Sequence, residues 1–359
     1  MPEPFGRWFL PGPSQVHPDV LAGLGRLPEG TTTLLDQLRQ PLKDVFRTTR
    51  EVMLVASSPA GMMEAAIRSG VEERVLVVMG GSAGERFAQV ARACGKEVVR
   101  AMVPAGRTLE AEHLVQFLDG PEVDAVALVH AESSTGSLAP LEELSRVVQS
   151  RKSVHLLVDA TGSLGGCPVE TDGWLLDFVF SGSEEALALP SGIALGVASE
   201  RLLARAGRLT GRGTYFDLIH LAAPLGHRSD APNLPQLGAL AVQLERIEAA
   251  GGIEARWKRH HEMLTMVEEW VLLHPGFALL PAEGRRSWTV SCLRLPADLS
   301  SNRVVSSLNE RGWRVGQGWG ELRDSTIRIG HMGDVTPAEL GGLLLALSDV
   351  VVSMSGSGV

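Results

Sequence analysis

Between residues 50 and 200, short apolar runs alternate with amphipathic stretches, and this alternation restricts the fold more than any other feature of the chain. The runs are "EVMLVAS" (51–57), "RVLVVMG" (74–80), "EVVRAMV" (97–103), "AVALVHAE" (125–132), "HLLVDA" (155–160), "DFVFSGS" (177–183) and "IALGVAS" (193–199). Several are apolar on both faces, as strands in a sheet covered on both sides must be. Between the earlier runs lie helical patterns such as "GERFAQVARACG" and "LEELSRVVQS". The order predicts an α/β domain with a mainly parallel seven-stranded sheet built of βα units. The last two runs leave little room for a helix between them, which predicts one antiparallel strand.

Past residue 234 the pattern changes. Long helices are expected over "NLPQLGALAVQLERIEAAGG", stopped by its glycines, and over "IEARWKRHHEMLTMVEEWVLLH". "WTVSCLRLP", a helix near 302–311, "STIRIGHM" and a helix near 337–350 complete a smaller α/β domain. The expected organisation is an N-terminal arm (1–20), a large domain (21–254), a small C-terminal domain (255–352) and a flexible tail (353–359).

Composition narrows the function. A chain of 359 residues with 44% hydrophobic and 21% charged residues has a sizeable core. Its net charge of −9 argues against nucleic acid and anionic membranes as partners. No uninterrupted apolar run reaches bilayer length, and the N-terminus has no basic segment followed by an apolar stretch, so neither a membrane span nor a signal peptide is expected. Cys94, Cys167 and Cys292 form neither a disulfide framework nor a metal pattern, and fit small core residues in a reducing cytoplasm. The only lysines are Lys43, Lys96, Lys152 and Lys258.

"PGPSQVHPDVL", "MMEAAI", "GERFAQVARACG", "HAESSTG", "LLVDATGSLGG", "DGWLLDFVFSGS", "GGIEARWKRHHEM" and "RIGHMGDVT" stand in this order along nearly the whole chain. In this the sequence resembles the class V aminotransferases, on the fold type I scaffold of pyridoxal-phosphate (PLP) enzymes, and among them the alanine–glyoxylate and serine–pyruvate aminotransferases. The resemblance implies PLP as the family cofactor. That chemistry needs a lysine for the Schiff base, a carboxylate on the pyridine nitrogen, a phosphate cup at a helix N-terminus, an aromatic ring stacked on the cofactor, and an arginine for the substrate carboxylate. Asp159 matches the pyridine-nitrogen carboxylate, although a strand-end aspartate is also an ordinary helix cap. Arg328 matches the substrate arginine, although an isolated arginine there is more often in a structural ion pair. Ser134 and Thr161 fall at further cofactor-binding positions of the family.

The other three parts depart from the pattern. Glu184 and Glu185 stand where relatives have glutamine and then the Schiff-base lysine, and a carboxylate forms no imine. The phosphate loop aligns with Ser58, Pro59 and Ala60, losing a backbone donor at proline and a hydroxyl at alanine. The stacking tryptophan aligns with Ala105. "APNLP" (231–235) and "LPEGTTT" (27–33) replace segments that relatives lend across a dimer, while Tyr215 in "GTYFDL" matches. None of the four lysines is expected at the carboxyl end of a strand, where this fold places its chemistry.

A phosphate beside Glu184 meets a like charge, roughly 4 kcal/mol of repulsion at about 4 Å and an effective dielectric near 20. No tight PLP binding is therefore expected. The reading that results is an aminotransferase-like pseudoenzyme, cytoplasmic, homodimeric or paired with an active paralogue, or a binder of a small carboxylate through Arg328. The alternatives are an active aminotransferase, or a PLP-independent enzyme using Glu185 as a base beside Arg328 and His130. Against the last stands the plainer view that two glutamates merely solvate a vacated site.

Overall fold

All seven apolar runs of the central region become neighbouring strands of one sheet. The computed structural model describes residues 5–26, 31–224 and 234–355. The strands are β2 (Met53–Val55), β3 (Arg74–Met79), β4 (Glu97–Met102), β5 (Ala125–Val129), β8 (His155–Asp159), β9 (Phe178–Gly182) and β10 (Ala194–Ala198). Their spatial order is β2-β10-β9-β8-β5-β3-β4. Only β10 runs against its neighbours, pairing Ala194 with Gly182 of β9 and with Val55 of β2. The predicted antiparallel strand is thus the one that follows β9 without an intervening helix.

Period-two alternation gives each strand two buried faces. In β8 and β9, Leu156, Val158 and Val179 enter one core, while Leu157, Phe178 and Phe180 enter the other. The second core is closed by α3 (Pro59–Gly70), α4 (Ser82–Ala93), α7 (Glu200–Ala206) and α8 (Leu218–Leu221). The first is closed by α2 (Thr31–Phe46), α5 (Ala111–Leu118), α6 (Leu141–Gln149) and α9 (Leu234–Ala249), with α1 (Pro18–Gly23) packed on α9. A small ribbon, β6 (Ala131–Glu132) with β7 (Ser137–Leu138), follows β5.

The second sheet is β1-β13-β14-β12-β11, made of β1 (Trp8–Phe9), β11 (Ala278–Leu279), β12 (Val290–Arg294), β13 (Arg314–Gln317) and β14 (Thr326–Gly330). The arm is therefore not a separate extension: β1 pairs parallel with β13 at the edge of this sheet. Helices α10 (Gly252–Leu273), α11 (Ser301–Glu310) and α12 (Pro337–Ser355) cover the sheet and bury Trp270, Val304, Leu343 and Leu347 against it.

The sequence-based tail boundary at 353 is too early, because α12 runs on to Ser355. That helix also has bilayer length and a mean hydropathy of 1.4 over Pro337–Met354, although it holds no uninterrupted apolar run of that length. Glu339 and Asp349 interrupt it, and Leu340, Leu343, Leu347 and Val350 are spent on the small-domain core.

Candidate functional site

The carboxyl ends of the parallel strands converge on one cleft, where open α/β sheets hold their ligands. At the end of β8, Asp159 is only 3% exposed. Thr161 donates to its Oδ1 twice, from the backbone N–H at 2.9 Å and from the hydroxyl at 2.6 Å. The same hydroxyl accepts from the Gly182 N–H at 3.1 Å, tying the end of β8 to the end of β9. Burial pushes the Asp159 carboxyl up to about 6; the Thr161 bonds pull it down, and Glu132 and Glu184 raise it further.

The turn after β9 carries the glutamate pair. The arm holds it from one side: the Ser14 N–H donates to the Glu184 carbonyl at 2.8 Å, and the Ser14 hydroxyl donates to the Glu185 carbonyl. From the other side Arg256 donates to the Ala186 carbonyl at 3.0 Å and Gln243 to the Leu187 carbonyl at 2.7 Å. Asp334 accepts from both Arg256 and Gln243, which fixes that scaffold. Glu185 lines the cleft beside Asp159 and Gly162. Burial first, then the charges of Asp159, Glu184 and Glu132, hold its carboxyl well above the usual range, and Arg328 offsets only part. Glu184 is raised as well, by burial, and its Oε2 is buried without a donor.

Two helix N-termini face the cleft. At α3, Ser58 is the N-cap but makes no side-chain cap bond, and Pro59 opens the helix. Proline has no N–H, and the Gly61 N–H goes to the Ser58 carbonyl at 3.0 Å. Of the first three helical positions, Ala60 alone offers an amide. The N-terminus of α4 is already served by protein: Glu132 accepts from the Ala83 N–H at 3.3 Å, and Ser134 Oγ accepts from the Ser82 N–H at 3.1 Å. Ser134 in turn donates to Glu132 Oε1 at 2.6 Å.

The small domain contributes the far wall. Arg328, midway along β14, donates from Nε to the Gln317 carbonyl at 2.7 Å and from Nη1 to the Ser133 carbonyl at 3.1 Å. It makes no ion pair among the described residues. Trp319 stands at the cleft mouth, 56% exposed. The cleft between these walls has a volume of about 650 Å³. A second hollow, of about 200 Å³ between α2 and β2, lies away from these strand ends.

The structure gathers most of the expected residues and separates others. Ser58, Pro59, Ala60, Asp159, Thr161 and Glu185 line the cleft, while Ser134 stands behind Glu132. Arg328 lies behind Ser133, with two of its three nitrogens committed to backbone. Ala105 is not part of the site. It is exposed in the turn after β4, the outermost strand, three places from β8 in the sheet. The wall expected there is made instead by Ser82 and Ala83, after β3. His130 does not join Glu185. Its Nδ1 meets Ser163 Oγ at 2.9 Å, its ring packs edge-on to Trp174, and burial pushes its pKa down to about 3. Tyr215 donates to the Ala56 carbonyl at 3.0 Å, outside the cleft lining. Residues 27–30 and 231–233 of the two expected cross-dimer segments lie outside the described residues. Ser133, the α4 face with Glu85 and Arg86, and Trp319 line the cleft without having been expected there.

These residues do not fit PLP, the family cofactor. An aldehyde beside Asp159 would meet the Glu185 carboxylate in place of an amine. A phosphate at the start of α3 would face an opening proline with Glu184 Oε2 close by, since Pro59 Cγ and Glu184 Oε2 both lie where a Cβ on Gly182 would stand. Among the described residues no aromatic side chain of the strand loops lines the cleft, Trp319 being supplied by the small domain. None of the four lysines lines the cleft: Lys43, on α2, pairs with Glu51, Lys96 holds the Glu72 carbonyl, and Lys152 and Lys258 are exposed.

Comparison with known proteins places this architecture. Over 98% of its length the chain is 31% identical to an uncharacterised aminotransferase of Methanocaldococcus jannaschii, covering 95% of that protein. It is 27% identical to the L-aspartate–glyoxylate aminotransferase of Paracoccus denitrificans, over 98% of this chain and 93% of that one. The crystal structure of alanine–glyoxylate aminotransferase from Nostoc sp. superposes with a TM-score of 0.89 at 28% identity, covering 98% of this chain and 97% of that one. The family model "Aminotransferase class-V" matches residues 19–321. With that match over most of its length, the chain belongs to the class-V aminotransferase family.

Proposed function

We propose that this member of the family forms no Schiff base with PLP and is not a transaminase on its own. It acts as a non-catalytic or regulatory subunit, as a homodimer or beside an active aminotransferase paralogue, and holds a small carboxylate through the free nitrogen of Arg328. The observation that carries this reading is Glu185: the side chain beside Asp159 at the turn after β9 is a carboxylate, and no lysine reaches the cleft. The opening proline of α3 and the buried, donorless Glu184 Oε2 support it, because each disfavours a phosphate. The cytoplasm is the compartment this reading assigns, in keeping with three free cysteines.

The test is direct. Purified protein titrated with PLP is expected to stay colourless, with no visible imine band before or after borohydride reduction. Capture of the tagged chain from its native host is expected to bring down either itself alone or a lysine-bearing paralogue. A stoichiometric band, or amino-group transfer by the isolated chain, overturns the reading. One alternative has a specific observation behind it: the raised pKa of Glu185 suits a general acid or base. It predicts PLP-independent turnover abolished by Glu185→Gln.

A further inference from the structure

One outer face of the small domain carries more apolar surface than its core uses. The four most exposed large apolar side chains among the described residues are Leu272 and Leu273, at 83% and 78%, and Leu345 and Val352, at 72% each. The first pair ends α10, and the second pair stands on α12. Over Pro337–Met354 the mean hydropathy is 1.4, yet only 28% of those residues are buried. The small-domain core takes Leu340, Leu343, Leu347 and Val350, so apolar side chains are left on the outer side. On soluble chains such patches mark surfaces that another molecule covers.

The two helices lie side by side and run the same way. Met266 Cε sits 3.7 Å from where a Cβ on Gly341 would stand. One turn further, Trp270 Nε1 donates to the Leu344 carbonyl at 3.2 Å and to Ser348 Oγ at 2.9 Å, and His274 Nε2 meets Ser348 Oγ at 3.0 Å. Helical spacing then sets Glu262, Met266, Glu269 and Leu273 in one row along α10, and Gly341, Leu345, Asp349 and Val352 in one row along α12. The seam between the rows is a groove about 17 Å long, or roughly three helical turns.

Both banks of the groove are acidic. Glu262, Glu269 and Asp349 are exposed, and none makes an ion pair among the described residues, whereas the adjacent Glu268 is paired with Arg286. Lys258 stands one turn before Glu262 at the head of the groove, and Arg311 bonds the Ala346 carbonyl on another side of α12.

We propose that this groove docks an amphipathic helix of a partner protein, its leucine-type residues seated against Met266, Leu273, Leu345 and Val352 and its lysine or arginine flanks against Glu262, Glu269 and Asp349. An apolar helix face laid into a groove is a recurring recognition mode, read as anchors at i, i+3, i+4 and i+7. The unpaired carboxylates select the charge of the occupant. A second copy using the same face sets these carboxylates against their own counterparts, as a two-fold contact requires, and an anionic membrane surface is repelled in the same way. None of these residues lines the cleft, and the docking face is independent of what the cleft holds.

The experiment is a fluorescence-anisotropy titration of the full chain into a labelled leucine–lysine peptide of helical periodicity, about fifteen residues long. Its controls are the same peptide with glutamate for lysine and a scramble of the same composition. Saturable one-to-one binding is expected at low salt, about tenfold tighter than for either control, and about fivefold weaker once salt screens the flanking pairs. Leu345→Ser with Val352→Ser should weaken binding about tenfold through lost apolar burial. Glu262→Gln, Glu269→Gln and Asp349→Asn together should abolish the preference for lysine over glutamate. Thermal melts of both variants confirm folding. No binding at millimolar concentration, equal binding of the controls, or affinity unchanged in the serine variant overturns the inference. Sedimentation and flotation with phosphatidylcholine–phosphatidylserine vesicles test the other occupants. Self-association of the parent that the serine variant loses makes the occupant a second copy, vesicle binding that it loses makes the occupant a membrane, and either result overturns the inference.

Discussion

Asp159→Asn is expected to stabilise the ligand-free protein. A carboxyl raised to about 6 in the fold, against 3.8 when exposed, is more easily ionised in the unfolded chain. The difference of roughly 2 units corresponds to about 3 kcal/mol favouring unfolding, present in full above the folded pKa. The penalty shrinks as pH falls through about 6 and is gone below 3.8, where both states hold the proton. Asparagine keeps the Oδ1 acceptor for Thr161 and removes the charge, so the variant gains what the parent lacks. Urea denaturation of the two proteins at each pH is the assay. The variant should lead by about 3 kcal/mol at pH 8, by about half of that at pH 5, and by almost nothing near pH 3.5.

Comparison at matched pH is essential, because other groups titrate too. The carboxyls facing Asp159 are Glu132, Glu184 and Glu185, with Arg328 beyond them, and all four stay in both proteins. Three buried histidines, His130, His260 and His331, have pKa values held down by burial. They withdraw stability below about pH 6.5 in parent and variant alike. An asparagine variant that is less stable at pH 8, or a gap that does not narrow on acidification, refutes the picture of an uncompensated buried charge.

The double substitution Glu184→Gln with Glu185→Lys restores the family pattern at the turn, yet transamination should stay below one-hundredth of a related aminotransferase's rate in a coupled assay, because Pro59 and the missing loop aromatic are left unrepaired. Asp177→Ala should cost about 3 kcal/mol at pH 7 by urea denaturation, since it removes the partner of Arg201, bonded at 2.5 Å, and the acceptor of the buried Leu156 N–H and Ser199 hydroxyl. Burial opposes ionisation of Asp177, but the nearby His155 ring, 3.6 Å away, and the bonds from Arg201 and Leu156 outweigh it and bring its pKa down to about 2. The parent therefore keeps this contribution above pH 3.8 and loses it toward pH 2, so the deficit of the variant narrows over that interval. Gly330→Ala places a Cβ 1.9 Å from the Leu10 carbonyl oxygen and should cost about 2 kcal/mol, with faster proteolysis of the arm as the readout.

Much of this molecule was legible before its structure. Strand runs and turn glycines gave the sheet, and one family-ordered motif after another marked Asp159 and Glu185. What escaped was whatever depends on strand order or on the other domain. Ala105 follows a strand as Ser82 does, but β4 is the sheet edge and β3 is not, which linear order does not reveal. His130 continues the alternation of Val126 and Leu128 into the core opposite α3 and α4, so period two already argued against its meeting Glu185. Trp319 had no local signal at all. It reaches the cleft only because the small domain folds back over the strand ends.

Residues 8–14 belong mechanically to both halves of the protein. Trp8 and Phe9 are sewn into the small sheet, and a few residues later Ser14 grips the carbonyls of the glutamate turn. A swing of the small domain therefore tugs on the cleft floor through this short leash. Trimming the leash, or anchoring a bulky fusion on it, should loosen the floor without touching a single residue that lines it.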